Sequence, residues 1–219
     1  MRPDPTILAF DSSAAHCAAA LLLGGEIVAA QHEEMVKGQA ERLFPMLEEA
    51  LAEGGLGWSA LDGIGVGTGP GNFTGIRIAV SAARGLALSL GIPAVGVNLF
   101  DALAFGTEGV VIASVPAPRG EVYARVLHHT GANPVIGNAA TVPLDAPARS
   151  EPTCIGADAD VLADRFSGSV VQPAFPMAEA IARVVLARKD NVTTKRPTPL
   201  YVRPADAAPP SDPPPVILT

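Results

Sequence analysis

Five glycines, Gly65, Gly67, Gly69, Gly71 and Gly75, stand within eleven residues, with Pro70 among them. Glycine takes backbone angles that a Cβ forbids, and proline fixes φ and removes an N–H donor. With Gly69, Pro70 and Gly71 in succession, Gly67–Gly71 reads as a shaped turn. The sequence beyond it is helical. Ile76, Val80, Ala83, Ala87 and Leu90 recur at spacings of 4, 3, 4 and 3, a single apolar stripe. Arg77, Ser81 and Arg84 form a second, polar stripe. Asn72 or Thr74 can cap the start through a side-chain oxygen. Gly91 and Pro93 mark the end. Ala79, Ala82, Ala83, Gly85 and Ala87 are small, so another helix could approach closely.

A strand, a glycine turn and a helix N-terminus in that order make a generic anion site, because free N–H groups and the helix dipole point the same way. Neither nucleotide motif is complete here. The Walker pattern needs a Gly-Lys-Ser/Thr run, and the stretch has no lysine. The G-x-G-x-x-G fingerprint fails because Gly69-Pro70-Gly71 leads to Thr74. Two readings stand: Gly69 and Gly71 approach a nucleotide phosphate, or the turn serves helix packing alone.

The run Gly69-Pro70-Gly71-Asn72-Phe73-Thr74-Gly75-Ile76-Arg77 resembles the G-P-G-S-F-T-G-L-R signature of the bacterial TsaB (YeaZ) family. That family belongs to the machinery that makes threonylcarbamoyladenosine on tRNA. Further stretches are similar. The start, Ile7 to Ser13, resembles the family's I-L-A-I-D-T-S opening. Helix 39–53 resembles its H-S-E-x-L-L-P element, although Gln39-Ala40 stands where His-Ser is usual. Pro118 to Tyr123 resembles D-A-R-R-x-E-V-Y, with Pro116 and Pro118 as departures. Pro199 to Arg203 resembles the closing P-x-Y-L-R.

The resemblance implies an actin-like (ASKHA, ribonuclease H-like) α/β fold of two βα lobes, the second reduced. It implies a non-catalytic subunit that pairs with a TsaD-like paralogue and recruits a TsaE-like ATPase. The complex acts on adenosine 37 of tRNAs reading ANN codons, so tRNA is met only through the complex. No cofactor is required by this chain, with ATP or ADP bound at the level of the complex. The family's partner surface carries over to Leu43, Leu47, Phe73, Thr74, Arg77, Ser81 and Arg84. The same two helices could also form a homodimer. The competing reading is an ATP-dependent small-molecule kinase of the same fold, resting on Asp11 and the glycine turn.

Composition narrows the classes further. A net charge of −7 argues against stand-alone nucleic-acid binding, which needs phosphate neutralisation. No apolar run of about 18 residues stands out as membrane-spanning, and no signal peptide is evident, so cytoplasm is expected. Cys17 and Cys154 suggest no disulfide framework. His16, His32, His128 and His129 make no H-x-x-x-H or H-E-x-x-H pair, so no metal site is expected.

Taken in order, three short strands open the chain, with a hairpin at Gly24-Gly25. Asp11 closes the first strand, either facing a phosphate or capping a turn. Leu43, Met46, Leu47, Ala50 and Leu51 keep helical period over Gln39–Glu53. Strands follow at Gly63–Gly67, Ala94–Val97, Val110–Val115, Glu121–Leu127 and Cys154–Gly156. Helices are expected over Asn98–Phe105, Asp158–Phe166 (capped by Asp158) and Met177–Arg188. The expected division is an N-terminal lobe 1–105, a C-terminal lobe 106–203 and a proline-rich tail 204–219.

Overall fold

Strand β1 (Ile7–Asp11) is buried at every residue, as a strand covered on both faces must be. It forms the middle of a five-stranded sheet of order β3-β2-β1-β4-β5. The computed structural model describes residues 4–129, 133–147, 149–191 and 196–202. β2 (His16–Leu23) and β3 (Glu26–Glu34) form the antiparallel hairpin around Gly24-Gly25, where both glycines take positive φ. β4 (Gly63–Gly67) and β5 (Ala94–Val97) add in parallel.

The two-residue period of β1 splits its side chains between two cores. Leu8 and Phe10 point to the face covered by helix α1 (Gln39–Glu53) and helix α2 (Phe73–Leu90). Ile7 and Ala9 point to the face covered by helix α5 (Met177–Ala187). Helix α3 (Leu99–Leu103) links the first sheet to the second.

The second sheet repeats the plan. β6 (Val111–Ala117), β7 (Glu121–Leu127) and β8 (Val135–Gly137) are antiparallel neighbours. β9 (Thr153–Gly156) and β10 (Ser169–Val170) then add in parallel on the other side of β6, giving the order β10-β9-β6-β7-β8. Helix α4 (Ala159–Phe166) covers one face and α3 the other. The two lobes are thus the same topology twice, the second with shorter edge strands. Residue 106 separates the two sheets, but α5 and residues 196–202 return to the first sheet.

Two local expectations change. Asp158 precedes α4 in the left-handed region at φ 50° and its side chain makes no capping hydrogen bond. The helix expected over Asn98–Phe105 is held to Leu99–Leu103, with Asn98 Oδ1 accepting from Asp101 N–H as its cap. The expectation about membrane-length runs also needs a correction. The 18 residues of α2 average a hydropathy of 1.2, which meets the requirement on length and composition. Ile76, Ala79, Val80 and Ala83 seat this helix on the first core, and Arg77 and Arg84 lie on its exposed side, so it serves here as a layer helix. Arg203 and the tail 204–219 lie outside the described residues.

Candidate functional site

The glycine turn is closed by the chain's own backbone. Asn72 N–H donates to Ser13 O at 2.6 Å, and Ser12 Oγ donates to Gly75 O at 2.9 Å. A Cβ on Gly71 would collide with Ser13 O, and one on Gly75 with Ser12 O. A Cβ on Gly69 would meet the Ile76 side chain and Leu200 O. The glycines therefore let the β1–β2 loop and the segment at Leu200 press against the start of α2. The first N–H groups of α2 are also taken: Asn72 Oδ1 accepts from Thr74 N–H at 2.9 Å and from Gly75 N–H at 3.1 Å. Asn72, not Thr74, is the cap.

Asp11 is fully buried beneath this turn. Its Oδ2 accepts from Ser13 N–H at 3.2 Å and Ser13 Oγ at 2.8 Å, and pairs with His16 Nε2 at 2.8 Å. Its Oδ1 has no hydrogen-bond partner and lies against Gly67, where a Cβ would overlap it. A carboxylate held this way orients the loop that closes the turn. Asp11, Gly69 and Gly71, the candidate phosphate contacts, all face protein.

The Asp11–His16 pair carries a pH signature. His16 has only 14% of its side chain exposed. Burial disfavours the imidazolium, but the hydrogen bond and charge of Asp11, with Glu34 adding, outweigh it, and the His16 pKa is raised above 6.5. The folded chain then holds this proton more tightly than the unfolded chain. The stability it brings is fully present below pH 6.5 and is lost as pH rises through the folded pKa. His16→Gln should remove that fall in melting temperature as pH rises above 6.5. Parallel curves for parent and variant would refute the linkage. Cys17, in the same strand, is pushed up to about 11 by burial, with Asp11 adding, and is a poor nucleophile at neutral pH.

The second feature is an open apolar groove of about 550 Å³ between α1 and α2. Ala40 and Phe44 line it from α1, and Ile78, Ser81, Ala82, Gly85, Leu86 and Ser89 from α2. Small residues keep the two helices close, so the larger side chains form its rim. Phe44 is 44% exposed.

The carried-over partner residues separate here. Leu43 and Leu47 are 0% exposed and belong to the first core, which corrects their assignment as surface residues. Leu43 reaches only the floor of the groove. Their stripe is the inward face of an amphipathic helix, and α1 turns Phe44 outward instead. Phe73, Thr74, Arg77, Ser81 and Arg84 are exposed. Of these, Ser81 lines the groove, while Phe73, Arg77 and Arg84 engage residues 197–201 of the chain itself. Arg77 Nε donates to Tyr201 Oη at 2.9 Å and its guanidinium sits 3.8 Å from the centre of the Phe73 ring. Phe73 and Tyr201 stack at 5.1 Å, and Arg84 Nε donates to Pro197 O at 2.7 Å. Phe44 and Ile78 escaped the sequence reading, whereas Gly85 was marked there as a small residue open to another helix and Tyr201 as part of the closing segment. Among the described residues, no group of three or more His, Cys, Asp or Glu side chains could hold a metal ion.

Duplicated sheets, a hairpin-plus-parallel topology and a helix crossing back to the first lobe define a two-lobed actin-like protein. Residues 25–151 match the family model for tRNA N6-adenosine threonylcarbamoyltransferase. The tRNA threonylcarbamoyladenosine biosynthesis protein TsaB of Haemophilus influenzae is 35% identical over 54% of this chain and 52% of its own length. The chain thus spans about half the length of that relative. An uncharacterized protein of Mycobacterium tuberculosis is 33% identical over 93% of this chain and 94% of its own. The solved structure of YeaZ from Pseudomonas aeruginosa superposes with a TM-score of 0.70 at 28% identity, covering 90% of this chain and 99% of that one. The chain belongs to the threonylcarbamoyltransferase-related family that the model describes, in its TsaB (YeaZ) branch.

Proposed function

We propose that this chain is an accessory subunit in the formation of N6-threonylcarbamoyladenosine at position 37 of tRNAs reading ANN codons, and that it activates a TsaD-like transferase by docking on it. The observation that carries this reading is the apolar groove between α1 and α2. Its small-residue floor and aromatic rim suit a helix pair from another subunit. The TsaB relatives, named as tRNA threonylcarbamoyladenosine biosynthesis proteins, support the pathway. A TsaE-like ATPase and tRNA join through the complex, in the cytoplasm, and in the absence of a partner the groove pairs two copies of this chain. The closed turn around Asp11 does not favour a kinase.

The test is reconstitution. The full chain, co-expressed with the TsaD-like transferase of the same cells, should co-purify with it, and threonylcarbamoyl transfer to tRNA should require both. The isolated chain should neither consume ATP nor modify tRNA. ATP turnover by the isolated chain, with no transferase recovered, would overturn the reading.

A further inference from the structure

A separate recess of about 600 Å³ opens where the two lobes meet, along β5. Neither Asp11, Gly69 nor Gly71 lines it, and it shares no residue with the two-helix groove. One wall is Ala94, Val95 and Gly96 of β5, the end strand of the first sheet. Arg125 of β7, with Asn133 and Pro134 ahead of β8, forms the facing wall. Residues 196–200 complete it, and this segment is fixed in place: Leu200 N–H donates to Thr68 O at 2.7 Å, and Pro197 O accepts from Arg84.

The chemistry of the lining is one-sided. Arg125, Arg188 and Arg196 converge on it from β7, the end of α5 and the returning segment, and no carboxylate is among the described lining residues. The chain as a whole has 22 acidic against 15 basic residues, so this gathering runs against its overall charge. Asp101, outside the lining, takes Arg188 Nη2 at 2.6 Å and lies 4.0 Å from Arg125 Nη1, which fixes the Arg188 fork. Guanidinium groups only donate. Asn98 Oδ1 is already used as the α3 cap, so what Asn98 offers a ligand is its NH2. Planar guanidinium forks match phosphate oxygens. The volume lies within the roughly 300–1,000 Å³ of small-molecule sites and exceeds what a phosphate group alone would fill. Val95, Pro134, Pro199 and Leu200 supply an apolar surface for the rest of a ligand.

We propose that this recess binds a phosphorylated small molecule of nucleotide size, with its phosphate on Arg188 and Arg196 and its organic body against β5 and the 197–200 segment. The assignment goes beyond the accessory-subunit reading and does not rest on it.

The probes are ADP, pyrophosphate and adenosine, titrated calorimetrically into the full chain at low salt. ADP and pyrophosphate should bind, with affinity falling as salt rises, and adenosine should not. Arg196→Gln, a change at an exposed residue, should weaken ADP binding about tenfold or more without changing the melting temperature, since a hydrogen bond to a charged group is worth about that factor. Arg188→Gln should weaken ADP binding by a similar factor. No binding of ADP or pyrophosphate at millimolar concentration would overturn the proposal, as would ADP binding unchanged in both arginine variants. Loss on Asp11→Asn rather than on Arg196→Gln would put the phosphate at the glycine turn and would equally overturn it.

Discussion

Gly75→Ala is expected to lower the melting temperature by roughly 6–12 °C. The added Cβ would run into Ser12 O, a backbone atom with no torsion through which to swing aside. Both sides of the contact are tied. Ser12 Oγ holds Gly75 O at 2.9 Å, and Ser13 O holds Asn72 N–H at 2.6 Å. Relief needs the β1–β2 loop and α2 to separate, which disturbs the burial of Asp11 and the hydrogen bonds it receives. Forcing extra volume against backbone tied on both sides costs about 3 kcal/mol, the upper end of the usual range. At roughly 2–4 °C per kcal/mol for a chain of this length, the shift follows. Gly85→Ala is the matched control: its Cβ would meet nothing within 4 Å. There the gain in helix propensity should stabilise the chain by roughly 0.5–1 kcal/mol. Thermal melts followed by circular dichroism read both. A Gly75→Ala chain that melts like the parent would show that the turn is not packed backbone to backbone.

Phe44→Asp and Gly85→Arg are expected to weaken association with the TsaD-like transferase by about 100-fold or more, close to 3 kcal/mol, without lowering the melting temperature by more than about 1 °C. Phe44 is the aromatic rim of the groove and 44% exposed, so an aspartate there loses an apolar anchor without burying a charge in the free chain. Gly85 is exposed on α2, and an arginine there fills the floor that a partner helix needs. Leu47→Asp cannot serve this purpose. Leu47 is 0% exposed, and a carboxylate in that core would unfold the lobe by leaving a buried charge unpaired. Titration of each variant against the transferase separates docking from folding. Full affinity in both Phe44→Asp and Gly85→Arg would remove the groove as the docking surface. If the isolated chain is a dimer, sedimentation of the same two variants should show monomers.

Much of the local structure was legible because its causes are local. The bounds of α1 at Gln39 and Glu53 follow from its apolar period and from Gly54-Gly55. The strand Glu121–Leu127 falls where alternation placed it. Asn72 caps α2 because a short acceptor stands just ahead of the first free N–H groups. Asp158 shows the limit. It occupies a cap-like position, but a left-handed backbone turns its side chain away from the helix end. The site was less legible. Leu43 and Leu47 lie in the first core and not on the surface of α1, because an apolar stripe is equally the mark of a core and of a partner surface. Asp11, at the end of β1, left a phosphate contact and a turn cap both open, and in the fold Ser13 and His16 hold its carboxylate.

The sequence by itself determined the glycine turn and the helix behind it, the opening hairpin, the alternation of strands and helices, and the family likeness. Each of these is written in residues a few positions apart, through backbone allowance, capping and periodicity. Tertiary structure alone decided what covers each face. Arg77 meets Tyr201 across 124 residues of chain, and Arg84 meets Pro197 across 113. The glycine turn closes on Ser12 and Ser13 from the far side of α1, and three arginines from three distant segments line one recess. Periodicity fixes which residues share a face of an element. Which surface that face meets depends on chain closure over long separations, and local spacing holds no record of it.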